Sequence, residues 1–212
     1  MTVVITGASR GIGAGLCAAY TARGAQVIGT TRNGEWPLEV TDPGSQAAFA
    51  ESLRNRPVEL LVCNAGVYLD KGHSLEAGYQ PELWAQSFAA NVTGVFLTIQ
   101  GLLPNLRAAK NAKIAVISSQ MASSDRAPGG SYIYRASKAA VLNLGRNLAQ
   151  DLRDDGIAVG IYHPGWVRTD MGSSAADISV EDAVAGLTAR FADLNIDKTG
   201  CFETWDGRSH PF

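Results

Sequence analysis

The sequence predicts an α/β protein with one domain, in which a doubly wound parallel sheet carries helices on both faces. Short runs rich in β-branched residues alternate with longer segments of helical periodicity along the whole chain. The strand candidates are almost continuously apolar, which is typical of strands covered on both faces. The 212 residues contain no internal repeat and no linker-like stretch, so one domain spanning 1–212 is expected.

The elements follow one another in regular alternation. The apolar pattern predicts strands at 2–6, 26–29, 59–63, 113–118, 158–163 and 201–205. Helical spacing predicts helices at 12–23, 45–54, 81–108 and 131–154. Ser179 is a candidate N-cap for a further helix, because its hydroxyl can accept a backbone N–H at the helix start.

Composition excludes several classes of function. A net charge of -2 gives no reason to expect nucleic acid or an anionic membrane as a partner. No apolar run approaches the ~20 residues needed to span a bilayer, and the N-terminus lacks the basic region of a signal peptide. Neither the three scattered cysteines nor the three histidines show metal-ligand spacing. A cytoplasmic protein with reduced thiols and no metal is therefore expected.

A glycine-rich turn lies between the first strand and the first helix. Its spacing, Gly-x-x-x-Gly-x-Gly, is set by Gly7, Gly11 and Gly13. Glycines permit a tight turn and a close backbone approach, and the helix start offers free N–H groups to a pyrophosphate. The pattern alone is weak, but its position between strand and helix is the one that a dinucleotide site requires. The residues assigned to this part of the site are Gly7, Ser9, Arg10, Gly11, Ile12 and Gly13.

The end of the second strand indicates which dinucleotide binds. An NAD site usually has an acid there for the ribose hydroxyl, whereas this chain has Thr30-Thr31-Arg32. An arginine matches a 2′-phosphate bidentately, and Arg10 in the glycine turn is a second cation for it. Both arginines are also compatible with a solvated surface. Thr31, Arg32 and Arg10 together favour NADP(H) over NAD(H).

Tyr134 and Lys138 are four residues apart in a predicted helix, so phenol and ammonium lie on one face. Tyrosine ordinarily titrates near ~10. A neighbouring cation favours the phenolate, so we expect the pKa of Tyr134 to be lowered toward the range of proton exchange. The spacing alone arises by chance on exposed helices. Tyr132 is the rival phenol, but the residue four positions on is Ala136, which has no charge.

These motifs, in this order, resemble the short-chain dehydrogenase/reductase family and its Rossmann-like fold, over essentially the whole chain. The closing segment resembles C-factor and sniffer-type carbonyl reductases. The glycine turn matches the cofactor turn of the family, and Cys63-Asn64-Ala65-Gly66 resembles its Asn-Asn-Ala-Gly element. The resemblance assigns Asn91, Ser119, Tyr134 and Lys138 to catalysis, the last two and Asn91 also to cofactor binding. It further assigns to the cofactor Glu39, Val40, Asn64, Ala65, Gly66, Pro164, Gly165, Val167 and Thr169.

The resemblance implies an NADP-dependent enzyme that transfers hydride between the nicotinamide and a carbonyl or alcohol. Ser119 would stabilise charge on the substrate oxygen, Tyr134 would be the general acid/base, and Lys138 would bind the nicotinamide ribose. Asn91 would hold a water that relays protons to Lys138. Helices 81–108 and 131–154 are the usual dimer surface of the family, so a homodimer is expected. The alternative is an NADP(H)-binding regulatory or signalling protein with little turnover.

The chain departs from the family pattern at four points. Cys63 replaces an asparagine, Glu39 replaces the aspartate that contacts adenine, and the segment between Arg32 and Glu39 is compressed. Ser119 precedes Tyr134 by 15 residues, about two more than usual, which a loop tolerates. Neighbouring strand residues face opposite sides, so only one of Ser118 and Ser119 is expected to line the site. The expected wall residues are Val67, Tyr68, Gln120, Met121 and Trp166, with 172–178 as a short lid.

Overall fold

Seven parallel strands form one sheet in the computed structural model, which describes residues 1–212. Their order across the sheet is β3-β2-β1-β4-β5-β6-β7, and every neighbouring pair is parallel. The strands are β1 (Thr2–Ile5), β2 (Gln26–Thr31), β3 (Trp36–Pro37), β4 (Leu60–Cys63), β5 (Lys113–Ile117), β6 (Ala158–His163) and β7 (Phe202–Thr204). The six predicted strands are confirmed, and the two-residue β3 is an addition that the sequence pattern did not predict.

Six α-helices connect the strands. They are α1 (Gly11–Ala22), α2 (Pro43–Ser52), α3 (Pro81–Phe88), α4 (Gly94–Arg107), α5 (Tyr132–Asp151) and α6 (Val180–Asp193). The predicted helix 81–108 is helical without a break, and its central five residues, Ala89–Thr93, form a π-helical segment between α3 and α4. Ser179 caps α6 as predicted, because its Oγ accepts the N–H of Asp182 at 3.0 Å.

The sheet is buried on both faces, which explains why its strands are almost entirely apolar. On one face, a single row of paired residues crosses five strands: Ile28, Val4, Leu61, Ile114 and Val159. All five belong to the larger core, which α2, α4 and α5 cover. On the other face lies a second core beneath α1 and α6. The doubly wound architecture is therefore confirmed.

The winding direction reverses between β1 and β4, which are neighbours in the sheet. The chain proceeds from β1 outward through β2 and β3, then returns to β4 and proceeds outward to β7. The carboxyl ends of β1 and β4 consequently flank a crevice, and ligands of open α/β sheets bind in such a crevice. The glycine turn follows β1 and the Cys63-Asn64-Ala65-Gly66 element follows β4, so both motifs lie at this point.

The run Pro81–Arg107 is long and apolar enough to cross a membrane by length and composition, contrary to the expectation that no segment would be. Its apolar residues have another explanation in the fold. Val95, Ile99, Leu102 and Leu106 of α4 are buried in the larger core. The apolar face of α4 therefore covers the sheet.

Candidate active site

The turn after β1 is a cradle of close backbone contacts. Gly7 and Gly11 have φ of +68° and +53°, in the left-handed region that favours glycine. A Cβ on Gly13 would lie 2.2 Å from the carbonyl oxygen of Gly7, so no other residue fits there. No side chain caps the start of α1 at Arg10, so its first N–H groups remain available. This geometry fits a pyrophosphate at the helix start.

Asn64 fastens the end of β4 to that turn. Its side-chain amide donates to the carbonyls of Thr6 (2.9 Å) and Gly7 (3.1 Å). The N–H groups of Asn64 and Ala65 both donate to the Thr6 hydroxyl at 3.0 Å. A Cβ on Gly7 would lie 2.9 Å from Cα of Ala65, so the two turns touch. Asn64 and Ala65 thus connect the turn after β4 to the turn after β1, on the two sides of the crevice.

The residues assigned to the 2′-phosphate lie around the end of β2. Thr31 is the last residue of that strand, and Arg32 is exposed just beyond it. Arg10 is exposed as well, but its guanidinium forms an ion pair with Asp170 at 2.5 Å. One of the two arginines predicted to bind the phosphate is therefore paired with a carboxylate.

Glu39 and Val40 lie on the segment that leads into α2. The Glu39 carboxylate accepts hydrogen bonds from the Thr41 N–H (3.2 Å) and hydroxyl (2.9 Å), so it is turned toward its own chain. The Val40 carbonyl accepts from the Gln46 amide at 3.0 Å. A Cβ on Gly94 would lie 2.8 Å from that carbonyl, so this segment packs closely on the start of α4.

Asn91 lies in the π-helical segment and is almost completely buried. Its Oδ1 accepts the N–H of Val67 at 2.8 Å, and its Nδ2 donates to the Val67 carbonyl and the Ser137 hydroxyl, both at 2.9 Å. A Cβ on Gly66 would lie 2.9 Å from Asn91 Oδ1 and 3.5 Å from Lys138 Nζ. Asn91, Gly66 and Lys138 therefore converge. A π-helical segment is a frequent mark of functional sites.

Ser119 and Tyr134 line a cavity of about 460 Å³. Ser119 follows β5 and Tyr134 lies in the first turn of α5. Both side chains are buried, as is that of Lys138 one turn further along α5. The Lys138 ammonium donates to the Ile117 carbonyl at 3.0 Å and lies 5.7 Å from the centre of the Tyr134 ring. The sequence-predicted catalytic residues are thus brought together.

The acidity of Tyr134 differs from the expectation. Burial raises the pKa of its phenol. The hydrogen bond with Ser119 lowers that pKa, and the charges of Tyr68 and Asp70 raise it further. Burial also lowers the pKa of Lys138 to about 8. The predicted lowering of the phenol's pKa by the neighbouring ammonium is wrong, because loss of hydration outweighs the effect of a cation 5.7 Å from the ring centre. The buried phenol is therefore held in its protonated form.

The contacts of Ser118 and Tyr132 distinguish them from Ser119 and Tyr134. Both Ser118 and Ser119 border the cavity, contrary to the expectation that only one would. The Ser118 hydroxyl, however, donates to the Lys138 carbonyl at 3.0 Å, which commits it to the backbone of α5. Tyr132 is 37% exposed and packs edge-on against Tyr79, away from that cavity.

The segment after β6 forms the opposite wall. The predicted Pro164, Gly165, Val167 and Thr169 all line the cavity, together with Ile12. Thr169 also reaches the nucleotide turn, because a Cβ on Gly11 would lie 3.1 Å from its methyl group. The cavity therefore continues from the glycine turn to Tyr134. The wall residues Tyr68, Gln120, Met121 and Trp166 are placed as predicted, whereas Val67 is absent from the wall.

Sequence reasoning missed Asp70, which is completely buried beside Tyr134. Its carboxylate accepts the N–H of Ile133 at 2.9 Å and that of Tyr134 at 3.2 Å. Tyr68, two residues earlier, stacks on the Tyr134 ring with the centroids 4.2 Å apart. The only signal in the sequence was an acid four residues after Gly66, and no pattern predicts that it reaches α5.

The fold and the gathered residues agree with comparisons to known proteins. Residues 1–178 match the family model described as short chain dehydrogenase. The chain is 34% identical to the C-signal protein of Myxococcus xanthus over 166 residues, which cover 78% of this chain and 99% of that protein. The chain belongs to the short-chain dehydrogenase family, and it is an oxidoreductase of that family.

Solved structures of carbonyl reductases are similar to this chain over its whole length. The NADPH-bound carbonyl reductase from chicken fatty liver is 29% identical, with a TM-score of 0.91 over 100% of this chain and 98% of that one. The carbonyl reductase Sniffer of D. melanogaster is 23% identical, with a TM-score of 0.93 over 100% of this chain and 99% of that one. At that identity, Sniffer supports the fold alone. The predicted likeness to C-factor and sniffer-type proteins is confirmed.

Proposed function

We propose that this protein is an NADPH-dependent carbonyl reductase in which Tyr134 is the general acid/base. The observation that carries the proposal is that Ser119 and Tyr134 share one cavity with the segment Pro164, Gly165, Val167 and Thr169, while Lys138 lies one turn beyond Tyr134. Cofactor turn and proton donor thus border one continuous space. The similarity to an NADPH-bound carbonyl reductase supports the same assignment.

NADP(H) is favoured over NAD(H) by charge. Arg10 lies in the turn after β1, and Arg32 is the residue that directly follows β2, where an NAD site usually has an acid. An acid there would repel a 2′-phosphate, whereas a guanidinium binds it bidentately. Asp170 competes with the phosphate for Arg10, because its carboxylate is paired with Nη1 of the guanidinium.

The residues around the cavity have complementary roles in carbonyl reduction. When bound, the nicotinamide supplies or accepts the hydride. The Ser119 hydroxyl donates a hydrogen bond to the substrate oxygen, where negative charge develops. Tyr134 donates the proton to that oxygen, and its raised pKa keeps the proton in place until then. Lys138 would hold the nicotinamide ribose, and its positive charge would stabilise the phenolate that remains.

Asn91 suits a proton relay to Lys138. Both hydrogens of its Nδ2 are committed, and Oδ1 has accepted one N–H, so one lone pair remains on that oxygen. Gly66 leaves space between this oxygen and the lysine, because any Cβ there would meet Oδ1. A water accommodated beside Gly66 can donate to Asn91 and exchange a proton with Lys138.

The cavity suits a small carbonyl or alcohol substrate with an apolar body. Tyr68, Met121, Trp166 and Met171 contribute much of its wall. Trp166 is 45% exposed and Met171 is 41% exposed, so the cavity is open on this side. These apolar side chains can accept an aromatic ring or alkyl chain of varied shape.

The test is NADPH oxidation by the purified protein with a panel of aldehydes, ketones and quinones, repeated with NADH. Tyr134→Phe should abolish turnover while the dissociation constant of NADPH is retained, because only the phenolic proton is lost. Tyr132→Phe is the matched control, since the same hydroxyl is removed from an exposed phenol in the same helix. Undiminished turnover by Tyr134→Phe would refute the mechanism.

A second candidate is an NADP(H)-binding signalling protein with little turnover. The similarity to the C-signal protein is the observation that favours it. Tight NADPH binding without turnover across the whole panel would support this candidate. A homodimer through α4 and α5 stays a prediction for either function, and sedimentation velocity tests it directly.

A further inference from the structure

The helix that carries Tyr134 does not begin in the ordinary way. The residue at the N-cap of a helix usually adopts an extended conformation, and its side chain accepts the N–H of the second or third helical residue. Ser131 instead has φ of +49° and ψ of +43°, which is left-handed, and it makes no side-chain cap. Its hydroxyl is hydrogen-bonded to the phenol of Tyr68.

Asp70 supplies the missing cap from another part of the chain. Helix α5 begins at Tyr132, so Ile133 and Tyr134 are its second and third residues. These are the two N–H groups that a cap satisfies, and the Asp70 carboxylate accepts both of them. The catalytic candidate is therefore held through its own backbone by a residue of the loop after β4.

A buried carboxylate at this helix start costs free energy, because its charge loses hydration. Asp70 has 0% of its surface exposed, and its carboxylate forms no ion pair. Its negative charge is compensated by the two N–H donors and by the positive end of the helix dipole. A neutral serine at the N-cap would suffice for helix stability, so the buried charge points to a requirement at Tyr134.

We propose that Asp70 is a positioning residue for Tyr134, which fixes the first turn of α5 so that the phenol faces Ser119. The proposal rests on the proposed carbonyl reductase function. Tyr68 completes the arrangement, because its ring stacks on Tyr134 and its hydroxyl is tied to Ser131. The loop after β4 thus contacts the catalytic tyrosine both at the backbone and at the ring.

The charge of Asp70 also provides a readout that a purely structural cap lacks. The groups that act on the Tyr134 phenol are Ser119, Tyr68 and Asp70, and the Lys138 ammonium lies 5.7 Å from its ring. Lys71 and His163 border the same cavity. Of these, Asp70 carries a negative charge that contributes to raising the pKa of the phenol. Reduction requires the protonated phenol. Loss of this charge should therefore move the alkaline limb of kcat/KM for reduction to lower pH.

The experiment compares Asp70→Asn with wild type in the carbonyl reduction assay. Asparagine has nearly the same shape, but it has no charge, and it offers one acceptor oxygen where the Asp70 carboxylate gives a separate oxygen to each N–H. We expect kcat to fall about tenfold, since small displacements of a catalytic group are costly. The alkaline limb should move to lower pH, and the dissociation constant of NADPH should be unchanged.

Asp42→Asn is the matched control. Asp42 also accepts a backbone N–H at a helix start, that of Gly44 at 2.8 Å, but it is exposed and caps α2. Asp42→Asn should leave both kcat and the pH profile unchanged.

Should Asp70→Asn fail to fold, Asp70→Glu retains the charge and moves the carboxylate by one methylene. That variant should lose rate while the alkaline limb stays in place.

The outcomes separate this inference from the proposed function. If Asp70→Asn retains the wild-type rate, or loses rate with an unmoved pH profile, Asp70 is only a structural cap and the proposal is overturned. In the fallback case, an Asp70→Glu enzyme with the wild-type rate overturns it equally. If wild type reduces none of the carbonyl compounds, or Tyr134→Phe is fully active, the proposed function itself fails.

Discussion

Replacing Lys138 by methionine should stabilise the ligand-free protein while it abolishes turnover. Lys138 is 5% exposed, and its ammonium has one hydrogen-bond partner, the Ile117 carbonyl at 3.0 Å. No carboxylate pairs with it. Methionine has a similar length and flexibility but no charge, so it fills the same space.

The magnitude follows from the acidity of the ammonium. Burial lowers the pKa of Lys138 from 10.5 to about 8. That difference corresponds to about 3 kcal/mol against the charged form at neutral pH. Loss of the hydrogen bond leaves the Ile117 carbonyl unpaired, which opposes the gain by about 1 kcal/mol. Lys138→Met should therefore raise the free energy of unfolding by about 2 kcal/mol.

The effect should depend on pH in one direction. Between pH 8 and pH 10.5 the unfolded chain binds the lysine proton, whereas the folded protein has released it. The contribution of Lys138 to the stability of the wild type consequently rises with pH across this window. The methionine variant lacks that contribution. The stability advantage of the methionine variant should thus be largest below pH 8 and fall to zero near about pH 10. Above that pH it should reverse by up to about 1 kcal/mol, because only the lost hydrogen bond remains.

The assay is urea unfolding without cofactor, with the free energy of unfolding extrapolated to zero urea at several pH values from 7 to 10. Turnover is measured on the same preparations, because a stabilised but inactive variant is what a strained functional group predicts. A variant less stable than wild type at pH 7 would refute the reasoning. So would a stability difference that stays constant up to pH 10.

Two further predictions concern the nucleotide turn. Gly13→Ala should prevent NADPH binding and destabilise the protein by about 1–3 kcal/mol, since its Cβ would lie 2.2 Å from the Gly7 carbonyl oxygen. Thermal unfolding with and without NADPH measures both effects. The control is Gly101→Ala within α4, which should be neutral or stabilising. Asp170→Asn should tighten NADPH binding by at most about fivefold, because the exposed ion pair with Arg10 is weak; calorimetry should find NADH binding unchanged, and an equal change for NADH would show that Arg10 does not read the 2′-phosphate.

Much of the fold could be predicted because its signals are local. A parallel sheet covered on both faces requires continuous apolar strands, and these runs are visible in the sequence. Helix spacing and the Ser179 cap are equally local. The strand β3 escaped prediction because two residues containing Pro37 carry no periodicity. The π-helical segment Ala89–Thr93 escaped prediction because one changed backbone turn leaves the apolar spacing almost intact.

The site divides along the same line. The sequence by itself predicted the glycine turn, the Tyr134–Lys138 pair and the preference for Tyr134 over Tyr132, since these depend on spacing within one element. Only the tertiary structure decided the acidity of Tyr134 and the partners of Asp70 and Arg10. Burial and pairing depend on which distant segments pack together, and spacing along the chain carries no measure of that.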